Sequence, residues 1–327
     1  MVPDAVTGYD RSALQLSIPK TESPICHSES LRFHVLQTEV AGQNPNFIMR
    51  NFLNKLLPRA YGLYFNILSV FAKKETAQKA FYLFATVRKG RVLEHQKQYL
   101  DHAKKDCLRI ADHDIQTYQW SGKGSTVLLV HGWESNTFRW RNLIAKLKAA
   151  DLNVVAFDAP GHGYSSGQKL HVPLYAEVLQ FLIDKYRPKY LVSHSVGGMT
   201  VLYSEYVYPD PDIEKIVTVA SPSEFHEIME HFQNLLKFND RVLKALDAYV
   251  YDKFGFRIRE FSTSEFAKTN TKKGLLFHDK WDKITPHHAS QKVHADWKGS
   301  RLVSTEGLGH SMHQDEVNDA IVDFLKL

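Results

Sequence analysis

The sequence predicts an α/β fold: a mostly parallel, twisted sheet with helices on both faces, a small helical lid insertion and an N-terminal helical extension. Two observations carry this. From Thr126 onward, short apolar runs alternate with longer stretches of helical periodicity, the pattern of buried parallel strands joined by crossover helices. The residues able to do chemistry fall where those runs end, and such sheets bind ligands outside the carboxyl ends of their strands.

The chain is organised around Ser193-His194-Ser195-Val196-Gly197-Gly198, between the apolar run Tyr190-Leu191-Val192 and the helical run Met199-Thr200-Val201-Leu202-Tyr203. That reads as strand, sharp turn, helix. A serine on such a turn is held at the top of the sheet with its hydroxyl exposed, beside the first amide of the following helix. Gly197 and Gly198 supply the bare surface that lets helix and strand approach.

Length and composition exclude several classes. A chain of 327 residues buries enough surface to need no disulfide staples. With 43% hydrophobic and 24% charged residues it is ordinary globular material. The net charge of +5 is mild and scattered, with no nucleic-acid motif and no dense basic stripe, so nucleic acid is not expected as a partner. The two cysteines, Cys26 and Cys107, stand in unrelated contexts, which fits a reducing, cytoplasmic setting. Asp4, Asp10 and Arg11 interrupt the start, which rules against a signal peptide there. The uncharged stretch from Ala60 to Ala72 is shorter than the roughly 20 apolar residues a bilayer span needs.

Taken in order, residues 1–45 carry four prolines among many Ser and Thr and read as a loosely ordered lead-in. Pattern begins abruptly at Met49, which suggests that residue as the native start with 1–48 as upstream sequence; N-terminal peptide mapping tests this. Residues 46–110 read as an N-terminal helical extension. Phe52, Leu53, Leu56 and Leu57 share one face, which Tyr61, Tyr64, Phe65, Leu68 and Phe71 continue; further helices are expected before Gly90 and from Val92 to Lys105. Packing on the main domain is the first reading of this layer. Peripheral membrane contact through 46–87 is the second, because aromatics sit beside Lys55, Arg59, Lys73 and Lys74.

Residues 111–327 form the main domain. Strands are expected at Ile115–Trp120, Thr126–Val130, Asn153–Phe157, Tyr190–Val192, Lys215–Ala220, Gly274–Phe277 and Ser300–Val303. Helices are expected at Thr137–Ala150, Pro173–Tyr186, Val196–Tyr208, His288–Trp297 and Asp315–Leu327. Residues 222–273 interrupt the alternation with a Leu-, Phe- and Tyr-rich helical stretch, expected to lie over the strand ends as a lid.

Five features then fall on one edge of the sheet: His131-Gly132-Trp133, the Asp158-Ala159-Pro160-Gly161-His162-Gly163-Tyr164-Ser165 loop, the turn at Ser195, Asp282 in Asp282-Lys283-Ile284-Thr285-Pro286, and His310 in Gly307-Leu308-Gly309-His310. In this order they resemble the α/β-hydrolase superfamily, in its serine esterase and lipase-like branch, over about residues 110–327. The resemblance implies Ser195 as nucleophile, His310 as the base that takes its proton, and Asp282 as the acid that orients the imidazole. It implies the backbone amides of Val196 and Trp133 as oxyanion donors. Asp279, three residues from Asp282, and Glu224 compete for the acid, and His313 for the base. Asp158 and His162 read as structural, and His194 as a packing residue. Ser193 departs from the family's first elbow glycine.

The implied activity is hydrolysis of carboxylic esters through an acyl-enzyme, on a small-molecule ester with an apolar group. A serine in place of aspartate argues against the related dehalogenases and epoxide hydrolases. Thioesterase, acyltransferase, lipase and cofactor-free haloperoxidase branches share the triad, so the alternatives are a thioesterase or acyltransferase and a membrane-surface lipid hydrolase. A non-catalytic scaffold is a further alternative, which an intact Ser195, Asp282 and His310 set argues against. No cofactor is implied. His287-His288 and His310-x-x-His313 lack the helical H-E-x-x-H arrangement and a matched carboxylate set, so no metal is expected.

Overall fold

The computed structural model describes residues 45–327, with side chains described from Leu56 onward. The expected lead-in over 1–45 falls, but for Pro45, outside the described residues. The described chain forms two compact units. One comprises Ala85–Phe225 and Arg259–Leu327; the other comprises the described residues up to Phe84 together with His226–Ile258.

The first unit holds an eight-stranded sheet: β1 (Lys104–Ile110), β2 (His113–Trp120), β3 (Thr126–Val130), β4 (Asn153–Phe157), β5 (Tyr190–His194), β6 (Lys215–Val219), β7 (Lys273–Asp279) and β8 (Ser300–Thr305), in the order β1-β2-β4-β3-β5-β6-β7-β8. β1 and β2 pair antiparallel, as do β2 and β4, and every other pair is parallel. The helices of the chain are α1 (Pro45–Phe71), α2 (Lys73–Ala85), α3 (Glu94–Asp101), α4 (Arg141–Ala149), α5 (Val172–Tyr186), α6 (Val196–Val207), α7 (Phe225–Leu236), α8 (Asp240–Phe254), α9 (Thr263–Ala267), α10 (His288–Asp296) and α11 (Asp315–Lys326).

Strand parity builds the core. Along β3, Val127 and Leu129 join a cluster with Leu143 and Leu147 of α4 and Val317 and Ile321 of α11. Leu128 and Val130 point the other way, into a cluster with Val178 and Leu182 of α5 and Val201 and Leu202 of α6. A strand covered on both faces has no polar positions to spare, so β3 reads as a continuous apolar run. Each buried Leu or Val contributes about 2 kcal/mol of transfer free energy. The parallel register Val130↔Ser193 and Ser193↔Thr218 aligns the carboxyl ends of β3, β5 and β6, which is what brings their following loops together.

One segment departs from expectation. Residues 104–110, expected to close the helical extension of 46–110, with the helix from Val92 reaching Lys105, form β1, hydrogen-bonded to β2 from Lys104↔Gln119 to Ile110↔His113. The two strands are joined by Ala111-Asp112, both at positive φ (47° and 60°). Two such residues make the tight turn whose twist matches antiparallel strands. Ala-Asp lacks the Asn-Gly or Asp-Gly signature of that turn, so the hairpin left no mark in the sequence.

In the second unit α1 packs against α8. A side chain at Gly62 would run into the carbonyl of Leu236, so only glycine permits this approach. Asn66 accepts from the amide of Asn239 (2.7 Å) and donates to the carbonyl of Lys237 (3.3 Å), tying α1 to the α7–α8 turn. Phe81 of α2 lies 5.4 Å from the Tyr249 ring and 5.7 Å from Phe254, and Phe84 meets Phe232 edge-on at 5.3 Å. Sequence-distant helices thus share one aromatic core.

Candidate active site

Ser195 stands between β5 and α6 with φ 53° and ψ −127°. A non-glycine residue held there stores about 1–3 kcal/mol of strain. Its amide donates to Val219 O (2.8 Å), and its carbonyl accepts from the Gly198 amide (2.8 Å). A Cβ at Gly197 would lie 2.5 Å from Val130 O and 2.6 Å from His131 O, so glycine is required where α6 passes over β3. Ser193, the departure from the family pattern, does not crowd the turn: its buried hydroxyl donates to Val217 O (2.8 Å) on β6.

The structure brings together Ser195, His310 and Asp282. Ser195 Oγ lies 3.1 Å from His310 Nε2, and His310 Nδ1 lies 2.7 Å from Asp282 Oδ2. The Asp282 side chain is fully buried, while His310 is partly exposed. Burial alone would raise the Asp282 pKa. Hydrogen bonds from His278, from His310 and from the amides of Ile284 (2.8 Å) and Thr285 (3.0 Å) override it and hold this carboxyl well below the usual carboxylate range. An ionised Asp282 fixes the His310 proton on Nδ1 and leaves Nε2 free to accept from Ser195.

Two histidines brace this set. Buried His278 has Nε2 2.9 Å from Thr285 O and 3.4 Å from Asp282 Oδ2, and Nδ1 2.6 Å from Ser290 Oγ. Ser290 donates to Nδ1, and the Nε2 proton is shared between the Thr285 carbonyl and the Asp282 carboxylate. His194, read from sequence as a packing residue, has Nε2 2.9 Å from His310 O. Its ring meets that of His310 at 4.8 Å, close to edge-on. Neither contact carries a sequence signal, since each joins residues through the fold.

The loops after β3 and β4 complete the site. A Cβ at Gly132 would sit 2.7 Å from His194 Nδ1 and 3.0 Å from Ser195 Cβ, so Gly132 lies against the turn that holds Ser195. Trp133 is the next residue, and Val196 opens α6 with an amide that has no partner within the helix. His131 Nε2 accepts from the Ala159 amide (2.9 Å), and His162 Nε2 accepts from the Glu134 amide (3.0 Å). These bonds lace the two loops together and require neutral rings. Burial pushes His131 down to about 4 and His162 down to about 3. Asp158 is fully buried and accepts from Tyr118 Oη (2.8 Å), the Thr137 amide (2.9 Å) and the Tyr164 amide (3.0 Å). Asp158 and His162 are thus structural ties, as the sequence suggests.

The competitors are placed elsewhere. Asp279 accepts from the Trp281 amide (2.9 Å), Thr305 Oγ1 (2.9 Å) and the Leu308 amide (2.8 Å), which shapes the loop carrying His310. Glu224 accepts from Ser223 and Ser262. His313 is exposed. Among the described residues no group of three His, Cys, Asp or Glu side chains converges as a metal site.

Comparison with known proteins agrees with this architecture. A pimeloyl-[acyl-carrier protein] methyl ester esterase of Vibrio atlanticus is 33% identical over 112 residues, covering 33% of this chain and 42% of the relative. The match thus spans less than half the length of that enzyme. A hydrolase of Bacillus subtilis, YugF, is 22% identical over 260 residues, covering 64% of this chain and 92% of its own. Among solved structures, an esterase from Exiguobacterium antarcticum (TM-score 0.54, 17% identity) and a bromoperoxidase from Bacillus anthracis (TM-score 0.55, 21% identity) each cover 68% of this chain, and 99% and 100% of their own. At such identities they show the fold alone. The model of the alpha/beta hydrolase family matches residues 127–324, more than half of the sequence, from within β3 to within α11, and the chain belongs to that family.

Proposed function

We propose that the protein hydrolyses carboxylic esters through an acyl-enzyme on Ser195. The observation that carries this reading is the continuous hydrogen-bonded path from Ser195 Oγ through His310 to Asp282, at 3.1 and 2.7 Å. In the first step Ser195 Oγ attacks the ester carbonyl and its proton passes to His310 Nε2. The new oxyanion takes hydrogen bonds from the amides of Val196 and Trp133, each worth about 100- to 1000-fold in rate. As the intermediate collapses, His310 gives the proton to the departing alcohol and the acyl group stays on Ser195. Water then attacks that acyl group, losing its proton to His310, and Ser195 is regenerated as the carboxylic acid leaves. Asp282 stabilises the imidazolium formed in both steps.

The Vibrio atlanticus relative, named for a methyl ester, supports a carboxylic ester as substrate. The Phe-, Tyr- and Leu-rich insertion at 222–273 supports an apolar acyl or alcohol group, and the cysteine usage supports a cytoplasmic setting. Steady-state turnover of p-nitrophenyl esters of rising chain length, beside matched acyl thioesters, tests the reading. Saturable ester hydrolysis that improves beyond acetate is expected. Turnover confined to thioesters would replace the esterase by a thioesterase, and no turnover of either would remove hydrolysis altogether. A second reading, that residues 46–87 make peripheral contact with a membrane, is supported by the exposed apolar side chains of α1.

A further inference from the structure

Helix α1 is apolar on two opposite faces. Gly62, Phe65 and Ser69 are buried on one, where the helix meets α8 and the α7–α8 turn. Leu56, Ala60, Leu63, Ile67, Val70 and Phe71 recur at three- and four-residue spacing on the other, and all six are exposed. Leu63 keeps 61% of its surface and Phe71 keeps 85%. The stripe runs about 22 Å along the helix at 1.5 Å per residue. Single exposed apolar residues are ordinary on a protein surface; a continuous row is an interaction surface.

The stripe ends at Phe71, and two residues later a cationic cavity begins. Lys73 and Lys74 of α2, with Arg241 and Lys244 of α8, line a cavity of about 600 Å³ together with Ala77, Ala245 and Tyr249. Asp252 is the one carboxylate lining it, and no ion pair among the described residues engages any of the four cations. The stretch 45–84 carries six Lys and Arg against the single acid Glu75. A second copy of the chain docked stripe to stripe would bring these like charges together, parallel or antiparallel. An anionic, apolar-backed surface satisfies both features, and no described helix is long and apolar enough to cross a bilayer.

We propose that this unit docks on anionic phospholipid, with the α1 stripe lying at the boundary of headgroups and acyl chains and the Lys73, Lys74, Arg241 and Lys244 cavity receiving a lipid phosphate. The proposal rests on the reading of 46–87 as a membrane contact and adds to it the headgroup and the residues that bind it. An amphipathic surface of this kind gains from apolar burial and from attraction between cations and anionic lipid, and salt screens the second contribution.

Flotation of the full chain with phosphatidylcholine vesicles, with and without phosphatidylglycerol, tests it. Recovery with the phosphatidylglycerol vesicles, weakened by salt, and little recovery with phosphatidylcholine alone is expected. Lys73→Glu with Lys244→Glu should weaken binding about tenfold or more, since each basic side chain near an anionic surface contributes several-fold. Leu63→Glu with Ile67→Glu should abolish it. Both variants should keep wild-type thermal unfolding and wild-type turnover of a soluble ester, which separates lost docking from lost folding. Equal recovery with both vesicle types, or wild-type flotation of the Lys73→Glu, Lys244→Glu variant, would leave a membrane contact but overturn the headgroup site. No recovery with either vesicle would overturn the membrane reading as well. A dimer in solution that Leu63→Glu with Ile67→Glu makes monomeric, with no flotation, would assign the stripe to a second copy and overturn the proposal.

Discussion

Replacing Asp282 by asparagine tests the role proposed for it, because the surrounding bonds dictate how the new side chain sits. One carboxylate oxygen of Asp282 accepts from two amides, Ile284 N at 2.8 Å and Thr285 N at 3.0 Å. Those donors need an acceptor, so the introduced asparagine must turn its side-chain carbonyl oxygen to them. Its NH2 group then occupies the place of Oδ2, which faces His310 Nδ1 at 2.7 Å. A donor in that place pairs only with an unprotonated Nδ1, so the imidazole moves its proton to Nε2. In that tautomer Nε2 cannot accept from Ser195 Oγ. The geometry survives and the base is lost. The same replacement in a serine protease triad lowers kcat about 10⁴-fold, equivalent to about 5 kcal/mol of barrier, and a loss of that order is expected here. The assay is kcat/KM on a p-nitrophenyl ester, beside thermal unfolding to verify the fold. Asp279→Asn is the matched control: its carboxylate serves two amides and a hydroxyl of the loop, so it should cost stability while sparing most of the turnover. A nearly active Asp282→Asn beside an inactive, folded Asp279→Asn would refute the assignment.

Three further outcomes are expected. Gly132→Ala places a methyl group against His194 Nδ1 and Ser195 Cβ, which should displace the loop carrying the Trp133 amide. Turnover should fall about 100-fold or more in a protein that still unfolds cooperatively; wild-type kcat would show that this loop takes no part. Ser193→Ala removes the bond to Val217 O and should cost about 1 kcal/mol in denaturant unfolding with turnover kept within several-fold; an inactive, folded variant would mean that the hydroxyl aligns the turn. His131 and His162 are pushed below 6.5 to about 4 and about 3, so above pH 6.5 their neutral forms contribute fully. As pH falls below 6.5 the unfolded chain takes up protons first. Stability should then drop by about 2 kcal/mol per ring between about pH 7.5 and about pH 5. A urea midpoint unchanged over that range would show that these rings are not held neutral.

The strands from β3 to β7 and the edge that gathers the site were legible in the sequence because buried parallel strands leave apolar runs, as Thr126–Val130 does, and β2 was legible through the alternation of Ile115–Trp120. Ser195, Asp282 and His310 were legible through the loops that carry them, and the structure brings the three within hydrogen-bonding distance. β1 was hidden because Ala111-Asp112 adopts a turn that its residue types do not advertise. The contacts of His278 on Asp282 and of His194 on His310 were hidden for another reason. Each depends on where a loop returns: His278 reaches Thr285 and Asp282 through the bend that follows β7, and no spacing rule encodes that. The grouping of α1 and α2 with α7 and α8 was equally silent. Periodicity shows that a helix has an apolar face but not which partner covers it, and in α1 it could not separate the face that meets α8 from the one left exposed.

The most direct test of the account is intact mass after incubation with a fluorophosphonate, run on wild type and on Ser195→Ala. This reagent captures a serine whose proton a neighbouring base can remove, and Ser195 Oγ lies 3.1 Å from His310 Nε2. The account predicts a single adduct on wild type and none on Ser195→Ala, with ester turnover lost in step with labelling. A folded wild-type protein that takes no adduct, or an adduct that persists in Ser195→Ala, would contradict an activated serine at the turn between β5 and α6.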